Sequence, residues 1–138
     1  MNFNNYTTKS QETIQMAQQL AQGFKHNQIE NEHIFKAIFE VDENVLPFIL
    51  KKMNVNVPML KQILDKQIES FSKVSGSELS ISREASKTLN EASIIAKKMN
   101  DEYVSIEHLI LAIFSGASTH AKAHDLQALQ LLIICHFN

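Results

Sequence analysis

Apolar residues recur at intervals of three and four along most of this chain, so the elements it predicts are helices. Ile14, Ala17, Leu20, Ala21 and Phe24 draw one helical face, with Thr7 as a hydroxyl N-cap before it and a stop expected at Gly23. Ile29 leads into a second helix over Asn31 to Phe39, with Glu32 in its first turn, and Asp42-Glu43-Asn44 breaks it. A third, short helix is expected to start near Asn44 with Pro47 in its first turn, where a missing N–H is harmless. Asn56-Val57-Pro58 starts a fourth by the same device, carrying Met59, Leu60, Ile63, Leu64, Ile68 and Phe71.

Ser72 to Glu78 is the only linker-like stretch, and after it the programme restarts. Ser82 is the N-cap of a helix bearing Ala85, Leu89, Ala92, Ile95, Ala96 and Met99, and Asn100-Asp101-Glu102 breaks it. Val104 takes the role of Ile29. Ser105 then caps a helix from Ile106 to Phe114 that Gly116 is expected to end. The restart is a duplication at one fixed offset. Glu32-His33-Ile34-Phe35-Lys36-Ala37-Ile38-Phe39 returns as Glu107-His108-Leu109-Ile110-Leu111-Ala112-Ile113-Phe114, 75 positions later. Upstream, Thr7 meets Ser82, Thr13 meets Thr88, Ala17 meets Ala92, Ala21 meets Ala96 and Ile29 meets Val104.

The expected fold is therefore all-α: about eight helices in two pseudo-two-fold-related copies of four. The copies cover about 6–71 and about 81–138, around a linker at about 72–80. Val, Ile and Thr never alternate over a strand-length run, and three glycines and two prolines supply little of the punctuation a β fold needs. The tail after Gly116 departs from the pattern, since Leu129-Gln130-Leu131-Leu132-Ile133-Ile134-Cys135 is apolar nearly all round. Its counterpart, the fourth helix, keeps a polar face.

Composition narrows the function. The 138 residues suit one domain, and 44% hydrophobic with 20% charged residues is an ordinary globular balance. A net charge of −2 with no basic block lacks the electrostatic footprint of a nucleic-acid binder. The single Cys135 excludes an internal disulfide and is compatible with a reducing cytoplasm, the compartment expected here. The first residues lack the basic start and apolar run of a secretion signal, and Leu126 to Phe137 is too short to span a bilayer.

With the copies aligned, the pattern resembles the amino-terminal domain of the Clp/ClpB-type protein-unfolding chaperones, over roughly residues 3 to 116. The residues that carry the likeness are Thr7 with Gln11-Glu12, then Ala17, Leu20 and Ala21, and Ile29-Glu30-Asn31-Glu32-His33-Ile34. In the second copy they are Ser82, Leu89, Ala92, Ala96 and the run from Asp101 to Leu109. Glu43-Asn44-Val45, Pro47-Phe48-Ile49-Leu50 and Lys73-Val74-Ser75-Gly76 look more like the disaggregase branch (ClpB) than the protease-partner branch (ClpC, ClpA).

The resemblance implies a non-enzymatic binding module that engages unfolded or aggregated polypeptide, and in some relatives adaptor proteins, on behalf of ATPase modules in the parent chain. No G-x-x-x-x-G-K-[ST] loop stands in this sequence, so the chain itself is expected neither to bind nor to hydrolyse ATP, and no cofactor is expected. From the disaggregase branch, the resemblance marks Thr7, Asp101 and Glu107 for substrate handling. Ile14 and Leu89, equivalent by the duplication, would face a groove near the pseudo-two-fold axis, or else lie in the core. From the protease-partner branch comes an alternative site at Glu32, His33, Glu107 and His108, for phosphoarginine or an adaptor.

Each candidate has a structural reading beside it. Glu32 and Glu107 suit a helix N-terminus through the macrodipole, and an imidazole in the first turn can bond a neighbouring loop. Thr7 and Ser82 are caps before they are contacts. His120 and His124 share a helical face at i, i+4, but Ala121 replaces the glutamate of an H-E-x-x-H site and a third ligand is not evident, so no metal is expected. Cys135 and His136, as sequence neighbours, do not make a nucleophile and its base. A plain structural helical domain would explain the duplication but not the repeated Glu-His pair.

Overall fold

The computed structural model describes residues 2–76 and 78–119. They form six helices: α1 (Thr8–Gly23), α2 (Asn31–Val41), α3 (Val45–Lys52), α4 (Val57–Ser70), α5 (Arg83–Lys98) and α6 (Ile106–Thr119). The helices that would complete the second copy, together with His120, His124, Cys135, His136 and the apolar tail, fall outside the described residues.

The duplication is visible in the backbone. Adding 75 to both ends of α1 gives both ends of α5, and adding it to the start of α2 gives the start of α6. The caps match as well. Thr7 Oγ1 accepts from the Ser10 N–H at 3.1 Å, and Ser82 Oγ accepts from the Ala85 N–H at 3.0 Å. Each satisfies one of the donors that a helix start leaves open. Within the helices, Thr13 donates to the Lys9 carbonyl at 2.9 Å and Thr88 to the Glu84 carbonyl at 3.2 Å, which is how both hydroxyls are buried inside a helix. Thr7→Ala and Ser82→Ala are each expected to lower stability by about 1 kcal/mol in urea denaturation. Loss from only one of the two would show that the caps are not equivalent.

Gly23 closes α1 as expected, but the left-handed residue that turns the chain is Lys25 (φ 62°), matched by Asn100 (φ 59°) after α5. Gly116 does not end α6, which continues to Thr119. A glycine inside a helix costs only about 1 kcal/mol relative to alanine, too little by itself to stop one. Helix α3 starts at Val45, beside Asn44 as expected, and the side chain that holds its first turn is that of Asp42. Its buried carboxylate accepts from the Leu46 N–H at 2.7 Å and the Asn44 N–H at 3.3 Å.

The all-α expectation needs one amendment: two short parallel pairings stitch the copies together. Strand β1 (Gln28–Ile29) pairs with β2 (Ser80–Ile81), Ile29 opposite Ile81, and Tyr6 bridges Val104. Under the offset Ile29 becomes Val104 and Tyr6 becomes Ile81, so each pairing is the symmetry mate of the other. The chain after the first helix of one copy lies beside the chain before the first helix of the other. Thr7 N–H donates to the Val104 carbonyl at 3.0 Å, and Ser82 N–H donates to the Ile29 carbonyl at 3.1 Å. Two-residue strands carry no alternation, so periodicity cannot foresee them.

Helix α1 packs on α2 and α5 on α6, with α2 also against α4 and α6. Buried alanines at equivalent places, Ala17 and Ala92, Ala21 and Ala96, Ala37 and Ala112, let these helices approach closely. Between the copies, fully buried Phe35 of α2 stands edge-on to Phe114 of α6, with ring centroids 6.2 Å apart, and tilts on Phe39 at 5.4 Å. Lys36 of α2 pairs with Asp65 of α4.

Candidate functional site

The repeated Glu-His pair sits at a joint where the turn after the first helix of each copy meets the start of the second. The histidine is the centre of both joints. His33 Nδ1 accepts from the Glu30 N–H at 2.8 Å, and His108 Nδ1 accepts from the Ser105 N–H at 2.9 Å. A backbone N–H can only donate, so in the neutral ring the proton lies on Nε2. In the second copy that Nε2–H donates to Asp101 Oδ2 at 2.8 Å. In the first copy it meets His26 Nδ1 at 2.9 Å.

His26 is the residue that the sequence reading passed over. The offset places it opposite Asp101, and both stand seven positions before the duplicated histidine. Because His26 Nδ1 receives the hydrogen bond, its own proton is on Nε2, which is buried without a hydrogen-bond partner. The pair is walled by aromatic rings: Phe24 stacks on His26 (5.6 Å, 9°), and Phe71 stands edge-on to His26 (5.5 Å, 72°) and tilts on His33 (5.6 Å, 58°). Burial pushes the His33 imidazole down to about 4, and the charge of His26 adds to that. Burial also lowers His26, helped by the positive charge of Lys73. At the Tyr6–Val104 pairing, burial raises the phenol of Tyr6, partly offset by a hydrogen bond with Ser93.

The expected site residues divide by exposure. Thr7 is half-buried and bonds across to the second copy through its backbone, while Asp101 and Glu107 are exposed and join one network there. Thr7 N–H binds the Val104 carbonyl, Ser105 N–H binds His108, His108 holds Asp101, and Ser105 Oγ donates to Glu107 Oε2 at 3.0 Å. Ile14 (8% exposed) and Leu89 (1%) lie in the core, because the faces of α1 and α5 that carry them pack on α2 and α6. Of the alternative set, Glu32, His33 and His108 are buried and only Glu107 reaches the surface.

The surface around these residues differs between the copies. Ile94, Met99, Tyr103 and Leu111 are large exposed apolar side chains on or beside α5 and α6. Their counterparts under the offset are Gln19, Phe24, Gln28 and Lys36. Of these, Phe24 is shielded against His26. Among the described residues no cluster of three His, Cys, Asp or Glu could hold a metal ion, and no helix is long and apolar enough to cross a membrane.

Comparison with known proteins gives one answer at every level. The chain is 45% identical over 119 residues to the chaperone protein ClpB of Bacteroides thetaiotaomicron, and 40% identical over 115 residues to that of Porphyromonas gingivalis. These matches cover 86% and 83% of the chain but only 14% and 13% of the relatives, so the chain spans about a seventh of their length. Among solved structures, the Hsp104 N-terminal domain from Candida albicans has a TM-score of 0.80 at 18% identity, covering 97% of this chain and 89% of that one. The N-terminal domain of the ClpV1 ATPase from E. coli also has a TM-score of 0.80, at 17% identity, covering 93% of this chain and 78% of that one. At such identities these two report the fold alone. Residues 5–126 match the sequence profile of the Clp repeat (R) N-terminal domain, and the chain belongs to that family.

Proposed function

We propose that this chain is the substrate-binding module of an ATP-dependent protein disaggregase or unfoldase, capturing exposed apolar segments of unfolded or aggregated polypeptide. In this reading the module is built from the two pseudo-symmetric copies, about 6–71 and about 81–138, and the ATPase modules it serves belong to a longer parent chain. The observation that carries it is the asymmetry between the copies: Met99 and Tyr103, each 53% exposed, flank Asp101 on the second copy, where the first presents shielded Phe24 and polar Gln28. Exposed apolar groups rimmed by polar ones are the usual make-up of a protein-binding surface. Thr7, Asp101 and Glu107 would form that rim. Ile14 and Leu89 would support it from beneath. Single contacts of this kind are weak, and several copies acting together raise the effective affinity.

Binding of a labelled, reduced and alkylated polypeptide tests the reading. Met99→Ser with Tyr103→Ser is expected to weaken binding by about tenfold or more, since each buried apolar side chain contributes about 1.5–3 kcal/mol. Both side chains are exposed, so circular dichroism should be unchanged. Leu89→Ser cannot serve as this probe, because it would disturb the core. The second reading, a docking site for an adaptor or for phosphoarginine-marked substrates, rests on the exposed carboxylate of Glu107. Saturable phosphoarginine binding, abolished by Glu107→Ala, would replace the first reading with the second.

A further inference from the structure

The two joints share one geometry and differ in one group, an imidazole at position 26 and a carboxylate at position 101. That difference decides what a proton does. In the first copy His33 Nδ1 and His26 Nδ1 are both occupied as acceptors, from Glu30 N–H and from His33 Nε2–H. Protonating His33 at Nδ1 sets an N–H against the Glu30 N–H. Protonating His26 at Nδ1 sets an N–H against the Nε2–H of His33. Either proton turns a hydrogen bond into a repulsion inside an aromatic box.

In the second copy a proton added at His108 Nδ1 also meets the Ser105 N–H, which donates to that nitrogen at 2.9 Å, but the imidazolium then finds an acceptor at both nitrogens. Asp101 Oδ2 lies 2.8 Å from Nε2, and Ser105 Oγ lies 3.1 Å from Nδ1 while donating its own hydrogen to Glu107.

We propose that the His26–His33 hydrogen bond is an acid-released latch of the first copy: a proton on the pair parts the α1–α2 turn from the start of α2, while the matching His108–Asp101 joint stays closed. The latch is tied to more than α2. The carbonyl of Lys25, next to His26, accepts from the Val74 N–H at 2.9 Å, and that of Asn27 accepts from the Ser80 N–H at 3.1 Å. Opening therefore loosens the segment after α4 and the β1–β2 pairing, and leaves the Tyr6–Val104 pairing in place.

The charged surroundings favour release. The segment after α4 brings the aromatic ring of Phe71 and the cation of Lys73, whose field opposes a proton on His26. β2 brings Ser80 and Ile81, with no charged side chain. α2 brings His33 itself, and Glu30 meets it through its backbone N–H and through a carboxylate that faces the His33 backbone N–H in a capping box. Lys25 and Glu32 are the charged residues next in sequence to His26 and His33. Burial holds both rings below the ordinary imidazole range, so the proton enters as the joint opens.

Amide hydrogen exchange of the 138-residue chain, expressed as protection relative to the intrinsic rate at each pH, tests this. Opening with one proton taken up grows about tenfold per pH unit below about 6.5. Protection of the Glu30 amide should therefore fall about fifteenfold between about pH 6.5 and 5, and clearly more than that of Ser105. His26→Asp should abolish the fall at Glu30, and Asp101→His should impose one at Ser105. Equal behaviour of the two amides, or a fall that survives His26→Asp, would overturn the proposal. Imidazole nitrogen shifts of the unmutated chain give a readout that does not depend on any variant folding. Both Nδ1 atoms of the pair should be unprotonated in the closed form, and a doubly protonated His26 or His33 ring in the folded chain at about pH 6 would be equally fatal.

Discussion

Phe35→Ala is expected to lower the unfolding free energy by about 3–5 kcal/mol, the range for deleting a buried aromatic side chain. Phe35 is fully buried and is the place where α2 of the first copy meets α6 of the second, through Phe114. Truncation removes the apolar area and also leaves a cavity that rigid helices on both sides cannot close. Domains of this size are stable by about 5–15 kcal/mol, so a fifth of the margin or more would go. Urea denaturation measures it as a lower midpoint at unchanged slope. A loss under about 1 kcal/mol would mean that the two copies do not lean on each other at this ring.

The second large effect is acid destabilisation. Folded His33 stays neutral until about pH 4, whereas in the unfolded chain it takes up a proton below about 6.5. Above about 6.5 the ring is neutral in both states and has no effect on the slope. Below that, the unfolded state binds the extra proton, so stability falls with pH, by about 3 kcal/mol over the whole window to pH 4. Unfolding free energies from urea curves at a series of pH values measure this slope. His33→Gln should start lower, having lost the hydrogen bonds of the joint, and should show a flatter profile across the same window. A profile as steep as the parent chain's would assign the acid sensitivity to other groups. This experiment reads global unfolding, and the exchange experiment on Glu30 reads the local joint, so the two can disagree.

How far the chain could be read before folding follows from the range of each interaction. Caps and helix faces are local, and there the reading was close. Thr7 and Ser82 cap where their hydroxyls predict, and Pro58 opens α4 in its first turn. Helix α6 runs past the expected end at Gly116, since a local propensity of about 1 kcal/mol does not by itself stop a helix. Helix α3 begins beside Asn44 as expected, although the side-chain acceptor at its first turn comes from Asp42. Ile14 and Leu89 could have faced a groove or the core, since one helical face does not reveal its partner. The structure put α2 and α6 against them.

By itself, the sequence determined that one helical unit occurs twice at an offset of 75, and with that the family, because register and residue type are properties of the chain alone. Tertiary structure decided what the copies do to each other. It laid β1 beside β2 and Tyr6 beside Val104, pairings between segments about 50 and 98 residues apart that no local pattern encodes. It also brought His26 onto His33 and Asp101 onto His108, closing the same joint once with two neutral rings and once with a carboxylate. A hydrogen bond across a turn depends on where both atoms come to rest, and only the folded chain holds them there.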